Sequence, residues 1–300
     1  MRVSVDLRSG IAALLVVVSG GASAQAPGSG YSYSITPFYH VDSDLDAGGE
    51  ASFAGVFASL GRRWALDQRS SLGFRLNFDY EDWDFDGVQG FGGADPWGEI
   101  YRVRMSLPYT FAAGNGWLWS ITPTLGYAGE SGASSSDAIE YGATLSAMQR
   151  LRPDLLLGFG IGVFEQIEDS NVFPFLIVDW RIDERWRLAN PLQAGPAGPA
   201  GLELSYALDG GWETGLAAAY RSNRHRLDSG GPFPDGVGEH RFIPVVARIG
   251  RSLSEQLKLD FYLGAATGTK LRVENRDGNR LFEDDQDPGL LLGISLVGRF

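Results

Sequence analysis

The feature that most constrains this chain is an apolar/polar alternation with a period of two that recurs along its length. Leu72, Phe74, Leu76, Phe78 and Tyr80 share one parity, and Gly73, Arg75, Asn77, Asp79 and Glu81 share the other. Successive side chains of a strand point to opposite faces, so this stretch predicts a strand with one wholly apolar face and one small or charged face. The split returns at Tyr101, Val103, Met105, Leu107 and Tyr109 against Arg102, Arg104 and Ser106, and again at Trp117, Trp119, Ile121, Leu125 and Tyr127 against Ser120, Thr122, Thr124 and Gly126. Segments 141–148, 157–165, 172–181, 202–208, 212–220, 241–250 and 257–266 follow the same rule with less contrast. Helical spacing fits none of them.

Connections between these runs alternate in length. Short turns fall at 67–69, 113–116, 152–154, 182–184, 209–211 and 253–255, and longer stretches rich in Gly and Asp at 41–49, 83–98, 128–138, 228–238 and 276–287. Short turns at one end and long loops at the other are the signature of an outer-membrane barrel. The predicted fold is therefore all-β: a closed antiparallel up-and-down transmembrane β-barrel of about fourteen strands, at about 20 residues per strand and connection against a spanning strand of about 9 to 11. Twelve strands also fit, because the pair 186–190 and 202–208 is weak and flanks Pro191 and the Gly, Pro and Ala run 194–201.

Composition removes the alternatives. Hydrophobic residues make up 44% of the 300 residues, too many for a disordered chain. Beyond residue 24, no stretch reaches the roughly 18 consecutive apolar residues of a spanning helix. The net charge is -12 and the only lysines are Lys258 and Lys270, so no basic stripe exists for nucleic acid. The absence of cysteine excludes a disulfide framework.

At the N-terminus, Arg2 and Arg8 precede an apolar core, 11–18, and then small residues at 20–24. That pattern predicts a cleaved export signal, 1–24, followed by a single barrel domain, 25–300. A membrane anchor would need an apolar core of about 20 residues. Trp64, Trp117, Trp119, Trp180, Trp186 and Trp212 fall beside proposed short turns, and Trp83 and Trp97 bracket one long loop. All eight are expected in the interfacial girdles. Tyr39, Tyr80, Tyr101, Tyr127, Tyr141 and Tyr220 would form a second belt toward the long loops.

The last segment runs Leu290, Leu292, Ile294, Leu296, Gly298, Phe300. It resembles the C-terminal signal by which Gram-negative outer-membrane barrels are recognised by the barrel-assembly machinery, which makes Phe300 the expected assembly signal. Segments 201–221 and 235–240 and this final strand resemble an uncharacterised bacterial family, a domain of unknown function described as outer-membrane β-barrels. The resemblance implies the fold, a cell outer-membrane location, and outer-membrane lipid, lipopolysaccharide and the assembly machinery as partners. It assigns no activity.

Parity places Arg75, Asp79, Arg102, Arg104, Asp179 and Arg181 on the face opposite the lipid. Glu203, Glu213, Arg221, Lys258 and Asp260 share that face, so all eleven are expected to line the lumen. Such a face can serve a narrow channel or transporter for small solutes or ions, where wall charges set preference. Alternatively the charges pair across the lumen and make a non-conducting scaffold, or a surface-interaction barrel acting through acidic extracellular loops. A lipid-modifying enzyme is the weaker reading: no G-x-S-x-G elbow is present, and no catalytic residue or cofactor is expected. His40, His225 and His240 also have the inward parity and are expected as solvated rim residues, without the spacing of metal ligands. Gly158, Gly160 and Gly162 form one face of a strand, where Phe173 or Phe175 can pack on bare backbone.

Overall fold

A computed structural model describes residues 29–300 except 115, 191–194 and 197–200; the expected export signal, 1–24, and most of the run 194–201 lie outside the described residues. The wall begins with β1 (Gly30–Asp44), β2 (Glu50–Ala65), β3 (Ser70–Asp86), β4 (Glu99–Ser106) continued by β5 (Tyr109–Ala112), β6 (Trp117–Glu130) and β7 (Ile139–Arg152). It proceeds through β8 (Leu155–Gln166), β9 (Asp169–Arg181), β10 (Trp186–Asn190), β11 (Leu202–Ala207) and β12 (Trp212–Ala218) continued by β13 (Arg221–Arg226). β14 (Val237–Ser252), β15 (Leu257–Glu274) and β16 (Arg280–Gln286), continued by β17 (Gly289–Arg299), complete the ring. Because three strands are interrupted, the seventeen segments make fourteen antiparallel strands in a closed barrel.

Closure is made by β17 on β1, in register from Ser32↔Arg299 to His40↔Leu291, and Tyr31 N–H donates to the Phe300 carbonyl at 2.8 Å. Proline explains two of the interruptions. Pro108 between β4 and β5 and Pro288 between β16 and β17 lack the N–H that the ladder needs. The short turns are braced by aspartates. Asp67 Oδ1 accepts from the Arg69 and Ser70 amides at 2.7 Å each, and Asp183 Oδ1 from the Arg185 and Trp186 amides at 2.8 and 2.7 Å. The Arg69 amide first, and then the Ser70 hydroxyl, hold the Asp67 carboxyl below its ordinary value.

The outer face presents Ile35, Leu60, Phe78, Leu125, Phe159 and Leu263 among many exposed apolar side chains. Inside, hydroxyls bond across neighbouring strands, with Thr36 to Ser295 at 2.6 Å and Ser106 to Thr124 at 3.0 Å. On β8 a Cβ at Gly160 would collide with the Phe175 ring and one at Gly162 with the Phe173 ring. The two phenylalanines of β9 therefore lie flat on bare backbone, as the glycine spacing predicts.

Two departures from a plain tube shape the interior. β10 and β11 are short: β10 pairs with β9 only from Arg187↔Arg181 to Asn190↔Val178, and β11 meets β12 only as far as Leu202↔Ala218. Beyond Val178, toward Asp169, this edge of β9 has no strand partner among the described residues. In the second departure, β13 leaves the wall. Asn223, Arg224, His225 and Arg226 are consecutive and all buried, whereas a wall strand facing lipid would expose every second residue. Arg226 bridges in parallel to Gly129 of β6, although β7 to β11 stand between these strands around the ring.

Candidate functional site

The interior divides into an open end and a packed end. At the short-turn end, one cavity of about 690 Å³ is bounded by Ser32, Gly61, Arg63, Gly73, Arg75 and Arg299, with Leu118 and Met148 opposite. A second of about 480 Å³ is bounded by Arg181, Arg187, Glu203, Glu213, Arg248 and Lys258, and Gln256 and Arg299 border both.

Paired charges occupy the wall of the second cavity. Arg248 reaches Glu203 at 2.6 Å and Asp260 at 2.7 Å and also contacts Glu213, and Lys258 bonds Glu213 at 3.1 Å. Arg187 holds Asp179 at 2.8 Å. A second network stands across the midsection. Both Glu81 oxygens accept from Arg102, at 2.8 and 3.3 Å, and the two side chains are 2% and 1% exposed. Arg104 pairs with Glu140 and lies 3.9 Å from Asp79. At such burial an unpaired charge would be strongly unfavourable, so each carboxylate fixes its arginine in place.

Above this level the lumen is filled by aromatic rings. Phe53 stacks on Trp83 at 4.2 Å and on His40 at 4.9 Å, His240 stacks on Phe242 at 4.2 Å, and His240 meets Trp83 edge-on at 4.8 Å. Trp97, from the β3–β4 connection, closes edge-on over His225 at 5.0 Å. The β13–β14 hairpin holds this end shut. Arg224 reaches Glu274 at 2.6 Å and the Ile167 carbonyl at 3.0 Å, and Arg226 reaches Glu168 at 2.7 Å and the carbonyls of Asp137 and Asp235 at 3.0 and 2.7 Å. Between β10 and β11, Gly195 and Pro196 are also buried, Gly195 against the Tyr262 ring and Pro196 beside Gly293.

The sequence-derived residues are thus distributed over separate levels. Glu203, Glu213, Lys258 and Asp260 meet around Arg248, and Arg181 borders the same cavity. Asp79, Arg102 and Arg104 belong to the midsection, and Arg221 enters it on β13. Arg75 makes no ion pair among the described residues and borders the first cavity. Phe300 stacks on Tyr33 at 5.8 Å, where the last strand closes on the first.

Two expectations need correction. Trp83 and Trp97 are 6% and 3% exposed inside the barrel, not in an interfacial girdle. Trp83 shares the parity of Glu81, and that parity, not residue type, decides its side of the wall. His40, His225 and His240 are buried rather than solvated, because β13 and the β3–β4 connection cover them. Sequence reasoning missed Arg248, the hub of the lower network, although it shares the inward parity of Phe242 and His240. Among the described residues no group of three or more His, Asp or Glu is arranged to hold a metal ion.

No family model matches the chain, and no curated protein matches it. Solved structures do. The COG4313 outer membrane channel from Pseudomonas putida F1 aligns with a TM-score of 0.48 at 12% identity, over 94% of this chain and 100% of that one. The P. putida toluene transporter TodX gives 0.42 at 10% identity over 92% and 91%. A Pseudomonas aeruginosa FadL homologue gives 0.42 at 11% over 90% and 89%. Similarity this low transfers neither substrate nor mechanism to this chain.

Proposed function

We propose that this protein is an outer-membrane barrel that passes small polar or charged solutes through its lumen, and that the conformation described is the closed one. One observation carries the reading. Two cavities open at the short-turn end, and above them the β13 edge of the β13–β14 hairpin is held across the lumen by side-chain bonds from Arg224 and Arg226 and one bridge to β6, whereas the other arm stays in the β14–β15 ladder. Bonds of that kind can break and re-form without dismantling the barrel. The apolar outer face supports the location, since a surface of this extent needs lipid around it.

Planar-bilayer recording tests the reading. Wild type should conduct weakly, and Arg226→Ala, which removes the bonds to Glu168, Asp137 and Asp235, should raise mean current at least tenfold. Charge-assisted hydrogen bonds contribute about 1.5–3 kcal/mol each, and about 1.4 kcal/mol is a decade in an equilibrium. The variant should still migrate more slowly on gels after boiling than before, the mark of an intact barrel. No current from either protein would retire the channel and favour a scaffold, whose paired lumen charges would then serve rigidity alone.

A further inference from the structure

The geometry points to an anion-binding subsite at the short-turn mouth of the lumen, which we propose takes a small soluble oxyanion, a phosphate or carboxylate group. The strand register builds it. Arg299 of β17 pairs with Ser32 of β1, Ser32 with Gly61 of β2, and Gly61 with Arg75 of β3, so two arginines stand at the ends of one row with the smallest side chains between them. Arg63 completes the group one step nearer the mouth, between Gly30 and Gly73. The floor is kept low by glycine: a Cβ at Gly61 would press on the Ser32 hydroxyl, and one at Gly73 on Pro108. The result is the cavity of about 690 Å³, with hydroxyl donors from Ser32, Ser71 and Thr110.

Charge sets this pocket apart from the rest of the lumen. No Asp or Glu side chain borders it. Arg75 and Arg299 make no ion pair among the described residues, and Arg63 only donates Nε–H to the Ser71 hydroxyl, at 3.2 Å. The neighbouring cavity is lined by Glu203, Glu213 and Asp260, and there Arg187, Arg248 and Lys258 are each matched by a carboxylate, while Arg181 makes no ion pair among the described residues and Arg299 borders both cavities. The chain carries 37 acidic against 25 basic residues, so a group of three inward arginines with no Asp or Glu side chain beside it does not follow from overall charge. Guanidinium forks match the paired oxygens of carboxylate and phosphate, and a confined wall screens them less than bulk water does. A soluble anion is favoured over a lipid headgroup because Arg75 and Arg299 have the lumen parity, opposite to the lipid-facing Leu76 and Leu296.

The subsite rests on the lumen reading but not on conduction, so binding is measured on purified protein in a non-ionic detergent. Isothermal titration with inorganic phosphate, and separately with acetate, should show saturable binding that weakens at least tenfold in Arg75→Ser/Arg299→Ser. The exposed control Arg276→Ser should bind as wild type, and heat-modifiable migration should be unchanged in both. Saturable binding absent from wild type, or undiminished in the double variant, overturns the subsite. Binding of dihexanoyl phosphatidic acid but of neither free anion also overturns it, in favour of a headgroup site. A barrel that binds phosphate yet never conducts would instead sink the channel and leave the subsite standing.

Discussion

Glu81 accepts bonds from Arg102 and, at 3.2 Å, from the indole N–H of Trp83, so one carboxylate joins the ion pairs of the midsection to the aromatic rings above. Glu81→Ala should destabilise the barrel by about 3–5 kcal/mol, because it leaves Arg102 charged, buried and without its partner. Glu81→Leu/Arg102→Met should recover most of that loss, since removing both charges removes the desolvation cost as well. Urea unfolding in lipid vesicles reads both; a single variant as stable as wild type would show that water already reaches the pair. The side of the wall on which these residues fall is legible from parity alone. What packs against them is not. His240 carries the same inward parity as Arg248, and only the chain crossing above it makes one a buried ring and the other part of a cavity wall.

At the scale of elements, β8 was readable down to its packing. Three glycines at spacing two leave a groove, and the phenylalanines of the next strand are in register to fill it, Gly162↔Phe173 and Gly160↔Phe175. Gly160→Val should accordingly lower refolding yield into vesicles and shift the heat-modification midpoint downward. Ala at the same position should do so less, since its methyl meets the ring with less bulk; equal stability of all three would mean that Phe175 can swing away freely. β13 was legible in principle and missed. In β12, Leu216 and, beyond its end, Tyr220 face outward, so an unbroken strand would carry Ser222, Arg224 and Arg226 onto the lipid face. Arginine there is unfavourable by about 2–4 kcal/mol at mid-bilayer depth. The chain had to leave the wall after Tyr220. Where it would go depends on β6 and on the turn at Ile167 and Glu168, which no local pattern announces.

For the whole molecule, the closed barrel and the alternation of faces follow from sequence, which leaves twelve or fourteen strands open; the structure has fourteen. The occupancy of the lumen arises instead from contacts between distant segments. The crossing of β13 has a geometric consequence. A ring spanned by a chord encloses two compartments, not one. On the side of β1 to β4 and β14, the compartment is solid with Phe53, Trp83, Trp97 and His240. On the side of β7 to β11 the inner face of β8 is glycine backbone overlaid by Phe173 and Phe175 of β9, and Phe173 is 39% exposed. Passage would therefore be eccentric, hugging one flank of the cylinder. The chain has no cysteine of its own, so single probes are clean. Phe173→Cys should react with a small water-soluble thiol reagent far faster than Phe53→Cys, and the ratio should narrow when Arg226→Ala loosens the crossing. Equal rates at the two positions in wild type would mean that the chord does not partition the lumen. A tube with such an off-centre bore can select solutes by which flank they touch, a form of discrimination unavailable to a pore whose walls are equivalent all the way round.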